Sequence, residues 1–138
     1  MKKKLLIVVL LFVFGAVYSF ACEMTFFLDG KQVVPGQTLS LDQGRSYELR
    51  VNFVEDHGNC PVEPEETAFL LAEEKWKTTK TALPLVLTRN VVWTDISDRE
   101  HETVLVFTAQ QTGKTTLEVI RDCTKKAGYD EIFYITVK

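Results

Sequence analysis

Ser46-Tyr47-Glu48-Leu49-Arg50-Val51-Asn52-Phe53 is the stretch that decides the fold. Tyr47, Leu49, Val51 and Phe53 alternate with Ser46, Glu48, Arg50 and Asn52. Side chains on a strand point to opposite faces in turn, so one face is apolar and the other polar. That pattern is a half-buried antiparallel strand. A helix would need apolar residues spaced by three and four, which this stretch lacks.

The same reading extends in both directions. Upstream, residues 24–28 are apolar and end at Asp29-Gly30, a hairpin signal, with residues 32–34 as the returning strand. Pro35-Gly36 stops it, residues 38–41 form another strand, and Asp42-Gln43-Gly44 turns the chain. Downstream, residues 55–66 form a loop, broken by Gly58, Pro61 and Pro64 and wetted by Glu63, Glu65 and Glu66. Residues 67–71, 83–87 and 91–96 are further strands, and 72–77 are long enough only for a helical turn. Residues 103–109 are apolar and β-branched on both faces, which suits a central strand. Residues 115–121 follow with Leu117 and Val119 inward, then a charged loop at 122–128. Residues 131–137 close the chain with Phe133, Ile135 and Val137 on one face. The expected fold is an all-β antiparallel sandwich of about seven to nine strands.

The first 21 residues are set apart. Met1-Lys2-Lys3-Lys4 is a basic start, residues 5–14 are an unbroken apolar run, and Ser19-Phe20-Ala21 offers a cleavage site after Ala21. A membrane span needs about 20 apolar residues, so an export signal over residues 1–21 is expected. The domain is then 22–138, exported to a periplasmic or outer-surface location where disulfides persist. Cleavage would make Cys22 the first residue. Ser19-Phe20-Ala21-Cys22 resembles the lipobox of bacterial lipoproteins, although Ser19 stands where an aliphatic residue is usual and Phe20 where a smaller one is. Lipidation of Cys22 and plain cleavage both remain open; lipidation would tether the chain to a membrane.

The chain has 16 basic and 19 acidic residues. Without Lys2, Lys3 and Lys4 the net charge is about −6. That balance argues against a nucleic-acid partner, which favours a basic face.

Phe107-Thr108-Ala109, Gly113 and Thr116-Leu117-Glu118-Val119 resemble the late-strand pattern of bacterial immunoglobulin-like domains. In that pattern a strand, a Gly turn and an alternating strand form a hairpin near the C-terminus. The layout is similar to that of chagasin-type protease inhibitors as well, but their recognition motifs are missing. The first loop reads His57-Gly58-Asn59-Cys60 instead of Asn-Pro-Thr-Thr-Gly, and the last reads Arg121-Asp122-Cys123 instead of Arg-Pro-Trp. Protease inhibition is therefore not carried over. The resemblance implies that loops 55–66 and 122–128 and the start of the strand near Glu102 share one end of the molecule. His57, Cys60, His101 and Cys123 would then gather there.

Cys60 and Cys123 have two readings. One is a disulfide bracing the two loops, a closure that would contribute roughly 4 kcal/mol on chain-entropy grounds. The other is a copper or zinc site formed by His57, Cys60, His101 and Cys123, since thiolate and imidazole together suit those ions. In the first reading no cofactor is needed. Gly58 suits a turn with positive φ, and Asn59 is no glycosylation acceptor because Cys60-Pro61 follows. Trp93 is expected in the core and Trp76 partly exposed. The acidic residues Glu63, Glu65, Glu66, Glu73 and Glu74 lack the spacing of a calcium loop.

No Gly-x-Ser-x-Gly elbow, His-Glu-x-x-His helix or phosphate loop occurs. The expectation is a non-enzymatic binding or accessory domain. It would present loops 55–66 and 122–128, including His57, Gly58 and Asn59, to a protein or other ligand. Any membrane contact would come through Cys22. A metal-binding or redox accessory protein is the alternative.

Overall fold

The computed structural model describes residues 22–55, 62–71, 84–122 and 128–138. Ten strands run through them: β1 (Glu23–Leu28), β2 (Lys31–Val33), β3 (Thr38–Leu41), β4 (Ser46–Val54), β5 (Ala68–Leu71), β6 (Leu85–Leu87), β7 (Trp93–Ser97), β8 (Glu100–Ala109), β9 (Gly113–Arg121) and β10 (Tyr129–Val137). The expected count of seven to nine is thus exceeded. Two of the strands, β2 and β6, are only three residues long, although both of their segments, 32–34 and 83–87, read as strands.

Two sheets share one core. The first has the order β2-β1-β4-β8-β6, with β7 also pairing β8; the second has the order β3-β10-β9-β5. β4 is buried at Tyr47, Leu49, Val51 and Phe53 and open on its other face, as its alternation requires. β8 is central, flanked by β4 on one side and by β6 and β7 on the other. Facing it, Leu117, Val119, Phe133 and Ile135 come from the second sheet and are at most 1% exposed. The sheets meet where Phe26 of β1 packs edge-on against Phe133 of β10, ring centroids 4.9 Å apart. Full burial of such a side chain contributes about 1.5–3 kcal/mol. At the β1–β2 turn Asp29 (φ 47°) and Gly30 (φ 79°) both take the left-handed conformation, which a two-residue hairpin with the right-handed strand twist demands.

Two features depart from the local pattern. β3 pairs parallel with β10, from Thr38 opposite Tyr134 to Leu41 opposite Val137, whereas β2, which precedes it in the chain, pairs with β1 in the other sheet. The chain therefore crosses between sheets before Thr38. Secondly, β8 and β9 do not form the hairpin that Phe107-Thr108-Ala109, Gly113 and Thr116–Val119 suggest. β8 belongs to the first sheet and β9 to the second. The short link carries the chain across the sandwich. Gln110 donates its N–H to Pro84 O, and Gly113 has φ 148° with Pro84 packed 3.4 Å from where a Cβ would stand. A residue with a side chain there would be strained by its positive φ.

β4, β8 and β9 run in the expected directions. β4 ends at Val54 opposite Glu100, where β8 begins. β9 ends at Arg121, whose guanidinium lies over the ring of Phe53.

Candidate functional site

The site is the end of the sandwich at which β4 stops, β8 starts, β9 stops and β10 starts. Its centre is Phe53, fully buried. The Arg121 Cζ is 4.2 Å from the centre of its ring. The His101 ring is nearly parallel to it at 5.9 Å, and Trp93 meets it edge-on at 6.4 Å. Phe69 stacks on Trp93 at 6.3 Å. Strand parity explains the convergence. Leu117, Val119 and Arg121 lie on one face of β9, and Ala109, Phe107, Leu105, Thr103 and His101 on one face of β8. The alternation that builds the core carries a cation and an imidazole inward at its last positions.

Arg121 is 4% exposed. A buried guanidinium is tolerable only when its N–H groups are met. Nη1 donates to Glu63 O at 2.8 Å and to Thr67 Oγ1 at 3.2 Å, and Nη2 donates to Val62 O. Arg121 thereby fastens segment 62–67 to the end of β9. That segment is itself shaped by Pro64–Glu66, one turn of 3-10 helix. Its start is closed by the Glu66 carboxylate, which accepts from Glu63 N–H at 3.0 Å. Val62, Pro64 and Thr67 are buried, and Glu63, Glu65 and Glu66 face solvent. On the opposite strand, Tyr129 of β10 reaches across to β1, its hydroxyl 3.4 Å from both the N and the O of Met24. Burial pushes the Tyr129 phenol above its ordinary value, and the carboxylates of Glu131 and Glu23 add to this, against a lowering by the Met24 backbone bond.

His101 is nine-tenths buried, and two carboxylates face its two ring nitrogens. Nδ1 is 2.7 Å from Asp95 Oδ1, across the β7–β8 pairing. Nε2 is 3.4 Å from Glu55 Oε1. The first contact is a hydrogen bond; the second is not, and Nε2 is a buried atom with no hydrogen-bond partner. Glu55 is held in place by its N–H, which donates to Arg99 O at 2.8 Å.

Of the sequence-derived site residues, His101 is placed at this end, as expected. His57, Gly58, Asn59, Cys60 and Cys123 lie outside the described residues, as does Trp76. Their flanks do not: Glu55 and Val62 border the first loop, Asp122 and Gly128 the second, and the Arg121 bond to Val62 joins the two borders. Cys22 is half-buried and packs against the core cluster. Among the described residues no group of three or more His, Cys, Asp or Glu has metal-binding geometry. The full set of His57, Cys60, His101 and Cys123 includes residues outside them. Sequence reading missed Arg121, Glu55 and Asp95. Parity from Val119 would have turned Arg121 inward, and parity from Phe53 would have put Glu55 on the core face. Nothing local marks Asp95, because its meeting with His101 depends on the β7–β8 register.

No family model matches this chain, and no curated protein does. Among solved structures, the solution structure of Amebosin is similar, with 13% sequence identity and a TM-score of 0.45 over 75% of this chain and 90% of that one. At that TM-score the likeness carries no argument about function.

Proposed function

We propose that this is an exported, non-enzymatic immunoglobulin-like domain. It presents loops 55–66 and 122–128, braced by a Cys60–Cys123 disulfide, to a protein partner. The observation that carries the proposal is the bond from Arg121 to Val62. Val62 is two positions from Cys60 and Arg121 is two positions from Cys123, so the two loops leave the scaffold from adjoining points. Paired borders shorten the distance a disulfide has to span. An oxidising compartment, expected from residues 1–21, would keep it formed. The immunoglobulin-like reading is supported by the split of β1 and β3 between the two sheets and by the central place of β8. Loops on a rigid sandwich are where such folds carry function.

The test is site-specific photo-crosslinking in the producing cell. A photoreactive residue at His57 or Asn59 should give a discrete adduct with one protein. The same probe at Gln32, on β2, should give none. Equal labelling at all three positions, or none at His57 and Asn59, would overturn the proposal.

A further inference from the structure

We infer that His101 Nε2 and Glu55 Oε1 are two ligands of a divalent cation of borderline softness, zinc or copper(II), and that Asp95 orients the imidazole. Three features carry this. First, His101 Nε2 is buried and has no hydrogen-bond partner, which is costly for a polar atom unless something else fills its lone pair. Secondly, Asp95 accepts from Nδ1 at 2.7 Å. In the neutral ring this leaves the lone pair on Nε2, 3.4 Å from a carboxylate oxygen that also carries only lone pairs. A carboxylate behind the far nitrogen of a metal-ligating histidine is the usual outer-shell arrangement. Thirdly, the Nε2 to Oε1 separation is 3.4 Å. Imidazole and carboxylate ligands at about 2.0–2.1 Å from one tetrahedral ion are about 3.3–3.4 Å apart. The pair is therefore spaced for an ion between its atoms and does not meet hydrogen-bond geometry.

The imidazole ring and the Glu55 backbone are both held before any ion arrives. His101 is stacked on Phe53, and Glu55 is anchored through its backbone to Arg99. The Glu55 side chain is 11% exposed, whereas that of Asp95 is 79% exposed. Solvent thus reaches the outer carboxylate on the Nδ1 side, and ligands beyond His101 and Glu55 would be waters that enter with the ion. The inference does not use the thiols. Its failure would leave the loop proposal standing, because that proposal rests on Cys60, Cys123 and residues 56–61.

The experiment is a titration of the oxidised exported chain with zinc and, separately, copper(II). Affinity is read by calorimetry for both. For zinc, the imidazole nitrogens are followed by long-range proton–nitrogen correlation. Zinc should move the His101 Nε2 resonance and leave Nδ1 protonated. Glu55→Gln should weaken zinc binding at least tenfold, and His101→Gln should remove it. Asp95→Asn should weaken it 10- to 100-fold, with Asp95→Glu restoring most of the loss. If His101→Gln fails to fold, the wild-type Nε2 resonance and Glu55→Gln decide the matter. The inference is overturned if neither ion binds. It is also overturned if zinc binds with Nε2 unmoved, as a thiol-held ion would, or if Glu55→Gln binds zinc as tightly as the wild type. A Nε2 resonance that responds to pH and not to saturating zinc would show that a proton bridges the pair.

Discussion

Replacing Arg121 with Met should destabilise the domain by about 3 kcal/mol. The guanidinium donates to Val62 O, Glu63 O and Thr67 Oγ1 and covers the ring of Phe53. Charge-assisted hydrogen bonds contribute roughly 1.5–3 kcal/mol each, and a desolvated cation over an aromatic ring about 2 kcal/mol. Against this stands the desolvation of the cation, several kcal/mol after relaxation. The variant removes that cost but leaves three acceptors without their donor, two of them backbone carbonyls beside buried residues. Orphaned groups cost about 1–3 kcal/mol each, and partial access of water to Glu63 brings the net near 3 kcal/mol. Arg121→Lys keeps the charge but cannot fork to several acceptors, so it should lose about 2 kcal/mol. Guanidinium unfolding with unchanged slope would measure both. Hydrogen exchange should show where the loss falls, with the amides of Glu66 and Thr67 exchanging faster, since they close the 3-10 turn that Arg121 holds. A loss under about 1 kcal/mol for Arg121→Met, with those amides still protected, would refute the clamp.

Other consequences follow from the same packing. Tyr129 has a phenol raised above 10.0 by burial. Its stabilising contribution is therefore complete below pH 10 and falls as pH rises from there through its folded value, because the unfolded chain loses the proton first. Alkaline unfolding midpoints should show Tyr129→Phe flattening this decline, and an unaltered pH dependence would count against it. Phe133→Ala should cost about 3–5 kcal/mol by chemical denaturation, since Phe133 is fully buried and holds the two sheets together through Phe26. A loss below about 2 kcal/mol would mean the core refills. Gly128→Ala should destabilise by about 1–3 kcal/mol, because its Cβ would stand 2.7 Å from Arg121 O and the backbone must shift to admit it. A neutral Gly128→Ala in the same assay would mean that the turn moves freely.

Most strands were legible because a half-buried strand writes its two environments into alternate residues. Tyr47, Leu49, Val51 and Phe53 of β4, and Phe133, Ile135 and Val137 of β10, are buried as that pattern demands. Val104 and Val106, on the outer face of β8, are half-buried, so the apolar second face of a central strand was legible too. What a local pattern does not carry is the partner. The parallel pairing of β3 with β10, and the separation of β8 from β9, depend on which sheet receives a strand. A three-residue link that ends at a glycine looks the same for a hairpin and for a crossover. The candidate site was legible for a related reason only in part. Strand direction placed His101 at the right end. Reading β8 from residue 103 hid the fact that Glu100–His101–Glu102 continue the strand and turn the imidazole inward. Arg121 ends the segment read as a strand with only Leu117 and Val119 inward, although it shares their face.

The central claim is that the loops bordered by Glu55 and Val62, and by Asp122 and Gly128, belong to one end of the molecule and are tied there. Peptide mapping of the exported chain without reduction, with thiols blocked at harvest, tests it most directly. The account predicts one linked pair of peptides joining Cys60 to Cys123. Recovery of Cys60 joined to Cys22, or of Cys60 and Cys123 both carrying the blocking group, would contradict it.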